Sequence, residues 1–160
     1  MSEIFSAPLF KVSFELMPPW QVKVKQLMDI LVALVALSVL LPLIIVLCII
    51  IKITSKGPII HKQERIGQYG KPFTLYKFRS MYVDAENSGP ALSSKHDNRV
   101  TRLGRFMRKT RIDEIPNFVN VLFGEMSLVG PRPERQFYVD QIVKIAPHYV
   151  HLQKVKPGIT

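Results

Sequence analysis

The stretch ILVALVALSVLLPLIIVLCIII, residues 30–51, runs for 22 residues without a charged side chain. At 1.5 Å per residue, a helix of that length measures about 33 Å, which is enough to cross a lipid bilayer. A cleaved signal peptide would have a shorter apolar region with a small-residue cleavage site after it, whereas this run leads directly into Lys52. The stretch therefore predicts a permanent membrane segment.

The two flanks of this segment carry similar positive charge. Lys23 and Lys25 precede the run, and Lys52 and Lys62 follow it. The positive-inside rule orients a segment by an asymmetry of charge between its flanks, and these flanks show almost none. Because both flanks are basic, the sequence predicts that both ends lie on the cytoplasmic side.

Pro42 suggests how both ends could return to one side. Proline removes the hydrogen bond to the carbonyl of Ser38 and clashes with that turn, and the Ser38 hydroxyl could satisfy backbone groups freed nearby. A helix that dips into one leaflet, bends near Leu41 and Pro42 and returns fits both observations. The alternative is a kinked helix that spans the bilayer, since proline is common in transmembrane helices.

The whole chain has 160 residues, with 22 Lys and Arg against 12 Asp and Glu, and a formal net charge of +10. That length holds one domain with a core, or a small domain plus a membrane element, but not two full-sized domains. The charge implies a negatively charged partner: nucleic acid, anionic lipid or a phosphorylated small molecule. The single cysteine, Cys48, excludes an intrachain disulfide and a cysteine-rich zinc site.

Short strands are predicted after the membrane segment. In YKFRSM, residues 76–81, strand alternation would place Lys77 and Arg79 on one side and the aromatic rings on the other. GQYGK lacks the spacing of a phosphate-binding P-loop, so Gly67 and Gly70 are interpreted as turn glycines. The polar, small-residue stretch at 83–98 predicts a loop.

The segment RVTRLGRFMRKTR, residues 99–111, predicts a helix with an apolar stripe and a broad cationic surface. Such a helix could lie on anionic lipid, bind nucleic acid or line a pocket for phosphates.

An acidic pair follows in TRIDEIPNFVNVLFGEMSLVGPRP, residues 110–133. One interpretation makes Asp113 the N-cap of a helix running to Gly124, with Glu114 near the positive helix end. The other makes one carboxylate a nucleophile toward phosphorus, with arginines neutralising the phosphate and the second carboxylate holding Mg²⁺. The surrounding arginines and the GPRP turn favour phosphoryl transfer at a membrane surface.

Together these motifs resemble the bacterial sugar transferase family, the monotopic polyprenyl-phosphate phosphoglycosyl transferases. The resemblance runs from KQLMDI through the proline-broken helix, YKFRSM and the acidic-pair block to VKPGIT. It implies a mostly helical α+β fold, with a re-entrant membrane helix hairpin and a small cytoplasmic catalytic domain that has interfacial amphipathic helices. The implied segments are residues 1–22 (N-terminal), 23–52 (membrane) and 53–160 (catalytic).

The resemblance also implies a reaction, in which a sugar 1-phosphate passes from a UDP-sugar to polyprenyl phosphate and UMP is released. Asp113 would be the nucleophile that forms a covalent phosphosugar intermediate, and Glu114 would bind the Mg²⁺ cofactor. The residues expected to hold phosphate oxygens are Arg108, Arg111, Arg132, Lys77 and Arg79.

The implied location is the bacterial inner membrane, with the site facing the cytoplasm. The expected partners are the UDP-sugar, polyprenyl phosphate and membrane lipids, without nucleic acid; a homo-oligomer is compatible with the resemblance. Family members usually continue past PGIT, so whether Thr160 is the true end stays open.

The runner-up is a non-catalytic, membrane-anchored basic module that binds anionic lipid or nucleic acid. A soluble-type nucleotide-sugar transferase would usually show a D-x-D motif, which this sequence lacks.

Overall fold

The computed structural model describes residues 17–54, 57–83 and 97–160. Most of the predicted N-terminal segment and of the predicted loop at 83–98 lies outside these residues. Within them the fold is mostly helical with one small sheet, as predicted. Its helices and strands are α1 (Pro19–Thr54), β1 (Ile60–Ile66), β2 (Pro72–Phe78), α2 (Arg102–Thr110), α3 (Asn117–Leu122) and α4 (Gln136–Ile145). Two 3-10 turns, Gln68–Gly70 and Ile112–Glu114, lie between these elements, and a third 3-10 segment, Pro147–Lys154, follows α4.

Helix α1 has 36 residues and includes Pro42 within it. Of the part of the chain that the structure describes, it is the one helix long and apolar enough to cross a membrane, and only 11 % of its most apolar window is buried. The Ser38 hydroxyl donates to the carbonyl of Leu34 at 2.9 Å, not to the Ser38 carbonyl that Pro42 leaves without its usual partner. The re-entrant hairpin stays a prediction, because the helix continues through the proline.

Strands β1 and β2 form an antiparallel hairpin in which Ile60 lies opposite Phe78 and Ile66 lies opposite Pro72. The turn between them has Gly70 at a φ of 72°, a conformation that glycine adopts without strain, so the interpretation as a turn glycine is confirmed. Lys77 lies within β2, whereas Arg79 follows the end of the strand.

Two apolar clusters attach α1 to the rest of the chain. The first consists of Ala33, Phe73, Leu75, Val121 and Met126. The second consists of Leu47, Ile51, Phe78, Met107 and Ile115. The helix therefore contacts the hairpin and the later helices both before and after Pro42, and most of its remaining surface is exposed.

Helix α2 begins and ends with identifiable devices. The hydroxyl of Thr101 accepts a hydrogen bond from the Gly104 amide at 2.8 Å, which is a standard N-cap. Gly104 packs so closely on the segment that follows β2 that a Cβ atom there would lie 1.9 Å from the carbonyl oxygen of Ser80. The helix ends at Arg111, whose φ of 59° turns the chain into the acidic 3-10 turn. The predicted cationic helix is confirmed for residues 102–110.

The predicted helix from Asp113 to Gly124 is wrong in its extent. Helix α3 begins only at Asn117, after Pro116, and ends at Leu122. Asp113 lies in the preceding 3-10 turn, and the N-cap position of α3 is Pro116. Arg111 has a left-handed backbone conformation, which begins a separate 3-10 turn at residues 112–114. Helix α3 can therefore begin only after this turn and Pro116.

The segment VKPGIT, residues 155–160, pairs with the loop that ends in GPRP. The Ser127 amide donates to the Pro157 carbonyl at 2.8 Å, and the Ile159 amide donates to the Ser127 carbonyl at 3.1 Å. A Cβ atom on Gly158 would lie 2.1 Å from the nitrogen of Gly130, so both strands approach as closely as glycine allows.

Candidate active site

A cleft of about 690 Å³ opens between the hairpin, α2, the acidic 3-10 turn and the GPRP loop. Its lining is strongly cationic: it includes Arg65, Lys77, Arg79, Arg99, Arg108, Arg111, Arg132 and Arg135. The acids that line it are Asp113, Glu114 and Glu134. A cleft with this charge attracts an anionic ligand.

Asp113 lies at the edge of this cleft with only 7 % of its surface exposed. Its Oδ1 has no hydrogen-bond partner within the described residues, so it does not act as a helix cap. Burial raises the pKa of Asp113 above its ordinary value of 3.8, and the charge of Glu114 adds to that rise, while Lys77 and Arg108 oppose it. A buried carboxylate oxygen without a partner is costly in free energy, and such groups concentrate at functional sites.

Glu114, the next residue, has the opposite environment. Its Oε1 lies 2.8 Å from Lys77 Nζ, 3.5 Å from Arg111 Nη1 and 3.8 Å from Arg132 Nη2. Burial by itself raises the pKa of Glu114, but the hydrogen bond and charge of Lys77, together with the two arginines, hold that pKa below its ordinary value of 4.5. Glu114 is therefore the centre around which three cations gather.

The remaining predicted cations also border the cleft. Arg108 Nε donates to the Ser80 hydroxyl at 2.9 Å, and Arg79 is buried directly after β2. The structure thus brings together Asp113, Glu114 and all five predicted phosphate-binding cations. Ser38 and Pro42, predicted for the membrane bend, lie apart from them in α1. The chemical roles of these residues stay predictions.

Arg111 pays a conformational cost for its place. A left-handed conformation is uncommon for a residue other than glycine, asparagine or aspartate, and costs about 1 kcal/mol or more. Arg111 keeps this φ of 59° where it ends α2 and reaches Glu114. This backbone conformation accompanies an Arg111 guanidinium that lies 3.5 Å from the Glu114 carboxylate.

Sequence reasoning missed two groups that hold the cleft in shape. Arg65 Nη1 donates to the Pro133 carbonyl at 3.0 Å and lies 3.3 Å from Glu134 Oε2, which fixes the far end of the GPRP loop. Asn120 is fully buried; it donates to the Thr74 carbonyl at 2.7 Å and accepts from the Tyr76 amide at 3.2 Å. Two asparagines three residues apart in the otherwise apolar helix α3, Asn117 and Asn120, could have pointed to a buried amide there, whereas Arg65 carries no such signal.

The acidic pair suits a magnesium ion bound together with a phosphate. Within the described residues no group of three or more His, Cys, Asp or Glu side chains could hold a metal by itself. Mg²⁺ needs only one or two carboxylates when waters and phosphate oxygens complete its shell. The unpartnered Oδ1 of Asp113 and the adjacent Glu114 fit that pattern, although such an ion would share Glu114 with Lys77.

Comparisons of the sequence with known proteins give matches over most of the chain. Residues 20–160 match the family described as Bacterial sugar transferase. The chain is 50 % identical over 126 residues to a Bacillus subtilis protein named "Putative undecaprenyl-phosphate N-acetylgalactosaminyl 1-phosphate transferase", covering 79 % of this chain and 70 % of that protein. It is 44 % identical over 137 residues, 86 % of its length, to the UDP-N-acetylgalactosamine-undecaprenyl-phosphate N-acetylgalactosaminephosphotransferase of Aeromonas hydrophila. It is 45 % identical over 136 residues, 85 % of its length, to the UDP-glucose:undecaprenyl-phosphate glucose-1-phosphate transferase of Klebsiella pneumoniae. The matches span 32 % of the Aeromonas protein and 29 % of the Klebsiella protein.

Proposed function

The chain belongs to the bacterial sugar transferase family, and we propose that it transfers a sugar 1-phosphate from a UDP-sugar to undecaprenyl phosphate. The names of its relatives support these two substrates. The observation that carries the proposal for this chain is the unpartnered, buried Oδ1 of Asp113 at the edge of a cationic cleft.

The proposed reaction has two balanced steps. In the first, an Asp113 carboxylate oxygen attacks the β-phosphorus of the UDP-sugar; a bond from that oxygen to phosphorus forms, the bond from phosphorus to the bridging oxygen breaks, and UMP leaves. In the second, a phosphate oxygen of undecaprenyl phosphate attacks the same phosphorus and breaks its bond to Asp113. The carboxylate is restored and the product is an undecaprenyl diphosphate sugar.

The surrounding cations account for how an anion can attack another anion. Lys77 and Arg108 act electrostatically on Asp113, and Arg111 and Arg132 gather at Glu114. These groups would neutralise the diphosphate oxygens and stabilise the charge that develops as UMP leaves. A magnesium ion held at Glu114 would supply further neutralisation of the phosphates.

The packing of α1 supports the proposal that the membrane helix is re-entrant. The same compact group of elements contacts α1 at Ala33, before Pro42, and at Leu47 and Ile51, after it. The β1–β2 hairpin and the later helices can occupy only one side of a bilayer. These contacts therefore favour a path in which both ends of the apolar run return to that side. By the charge argument that side is the cytoplasm, at the inner membrane. A pathway role in polysaccharide or glycoconjugate synthesis is part of the same proposal.

The test uses the full chain in lipid nanodiscs, with Mg²⁺ and a panel of UDP-sugars labelled in the sugar. Without lipid acceptor, we expect one UMP released per covalently labelled chain. Added undecaprenyl phosphate should then remove the label from the protein and place it on lipid. UMP release that requires lipid from the start and leaves no labelled protein would contradict the covalent step, and no release with any sugar would contradict the function.

The non-catalytic alternative has its own readout in the same sample. Arg102, Arg105 and Lys109 are exposed on α2 and do not border the cleft, so they are the residues a basic binding module would use. That module predicts RNA or anionic-vesicle binding that falls steeply with salt and is unchanged by Asp113→Asn.

A further inference from the structure

One acidic side chain of α1 is buried although the surrounding helix surface is largely exposed. Asp29 is the only acid in α1, and 9 % of its surface is exposed. The Ser127 hydroxyl donates to Asp29 Oδ2 at 2.7 Å, and the Leu128 amide donates to Asp29 Oδ1 at 3.3 Å. Both carboxylate oxygens of Asp29 therefore accept hydrogen bonds from a loop about a hundred residues away in the sequence. A helix that served only as a membrane anchor would not require this contact.

Lys25, one turn earlier on the same helix, completes the contact. Its Nζ lies 3.1 Å from Asp29 Oδ2 and hydrogen-bonds the Ser127 hydroxyl. It also donates to the Val129 carbonyl at 3.4 Å. The helix thus holds three consecutive loop residues through a charged pair, and charge-assisted bonds of this kind are stronger and more directional than neutral ones.

The loop held in this way leads directly to the cleft. Three residues after Val129 comes Arg132, whose Nη2 lies 3.8 Å from Glu114 Oε1. Pro131 and Pro133 restrict the backbone on both sides of that arginine. Between the Asp29 contacts and the prolines, little freedom is left in the path from α1 to the Arg132 guanidinium.

The position of Asp29 along α1 gives the contact its meaning. Asp29 is the last charged residue before the uncharged run of residues 30–51, so it lies where the helix enters the apolar layer. We infer that Asp29, with Lys25, is a positioning residue that fixes the Arg132 loop to the membrane helix and so sets the depth of the phosphate site relative to the bilayer. The role of Arg132 at a phosphate rests on the proposed function; the coupling of α1 to the loop does not.

The first test measures amide hydrogen exchange of the full chain in nanodiscs, over the peptide that contains Leu128, Val129 and Gly130. Asp29→Ala is expected to speed exchange in this peptide by about tenfold, because the Leu128 amide loses its acceptor. Asp29→Asn should have a smaller effect, since its side-chain oxygen still accepts. Lys23→Ala, which removes an exposed lysine from the same helix, should leave exchange unchanged.

Unchanged exchange in Asp29→Ala would overturn the inference, as would an equal rise across the β1 and β2 hairpin, which would mean general unfolding. Should Asp29→Ala fail to fold, Asp29→Asn and Lys25→Met carry the same test, because each removes only part of the contact. Faster exchange confined to the loop in those variants supports the inference.

The second test is a double-variant cycle on UDP-sugar turnover. Asp29→Ala and Arg132→Ala are each expected to raise KM by about tenfold with a smaller change in kcat, and the double variant should be little worse than either single variant. Effects that multiply to about a hundredfold would show that Asp29 acts independently of Arg132 and would overturn the inference. A wild-type chain without turnover would contradict the proposed function instead, and hydrogen exchange would still decide the coupling.

Discussion

Two buried aspartates in this protein have similar exposure and opposite surroundings. Asp29, at 9 % exposed, has hydrogen-bond donors at both carboxylate oxygens and a lysine beside it. Asp113, at 7 % exposed, has an Oδ1 without a partner among the residues that the structure describes. The two carboxylates thus differ in their hydrogen-bond donors and not in their burial, which is the difference expected if Asp29 is structural and Asp113 is the proposed nucleophile.

The difference has a thermodynamic side. At Asp29 the lysine partner and the hydrogen bonds offset the desolvation cost of the buried charge. At Asp113, burial raises the pKa and works against the ionised form, with Lys77 and Arg108 offsetting part of that cost. A site that stabilises an incoming phosphoryl group must leave its nucleophile unsatisfied beforehand, so we expect stability and activity to respond oppositely at Asp113.

The largest expected effect comes from Asp113→Asn. Removing the nucleophile should lower sugar-phosphate transfer by about 10⁴-fold or more and abolish covalent labelling by the UDP-sugar. The thermal midpoint of unfolding should stay the same or rise, since a buried charge is removed. Asp140→Asn, at an exposed aspartate of α4, is the matched control and should change neither. Labelling retained in Asp113→Asn would exclude the proposed nucleophile.

Glu114→Gln should have the next largest effect. The change removes the charge that gathers Lys77, Arg111 and Arg132, so transfer should fall by about 10²-fold. If Glu114 holds Mg²⁺, the variant should also need more Mg²⁺ for half-maximal activity, measured as UMP release across a magnesium titration. Glu64→Gln, exposed on β1, is the control. An unchanged magnesium requirement with reduced activity would limit Glu114 to arranging the cations.

Local sequence patterns predicted the surroundings of Asp113 well. The uncharged run, the cationic helix and the adjacent acids Asp113 and Glu114 are legible because periodicity and charge act over a few residues. The resemblance then gave the acids and the five cations common roles, and the structure places all seven around one cleft. The assignment of Asp113 as a helix cap failed because the left-handed turn at Arg111 is a backbone choice that composition does not reveal.

The contacts of Asp29 and the close packing of the loop that binds it could not be predicted in this way. The Ser127 to Asp29 hydrogen bond joins residues 98 positions apart, and the close approach of Gly130 and Gly158 joins residues 28 positions apart. Such contacts depend on how finished elements pack, so neither residue type nor spacing announces them. The spacing of Lys25 and Asp29, four residues apart on one helix, is visible in the sequence, but such pairs are common on solvated helix surfaces and do not indicate burial.

A smaller effect is expected from Lys77→Met, and it appears in the pH dependence. Asp113 must be ionised to attack, so activity should fall as the pH drops through its pKa, which burial places above 3.8. Because the Lys77 charge lowers that pKa, its removal should raise the pKa and move the acidic limb of kcat/KM to higher pH. Lys62→Met, exposed on the neighbouring strand, should leave the limb in place. A shift to lower pH would contradict this account of Asp113.

The smallest effect tests the structural aspartate through its donor. Ser127→Ala removes the hydroxyl that donates to Asp29 at 2.7 Å in a buried position, and should lower the free energy of unfolding by about 1 to 2 kcal/mol, measured by denaturant titration in detergent. Thr110→Val is the control: the exposed Thr110 hydroxyl bonds only to carbonyls of its own helix, so the change should stay below about 0.5 kcal/mol. Equal effects of the two substitutions would mean that the bond to Asp29 contributes no more than a helix surface contact, and the contrast with Asp113 would then rest on Lys25 and the Leu128 amide alone.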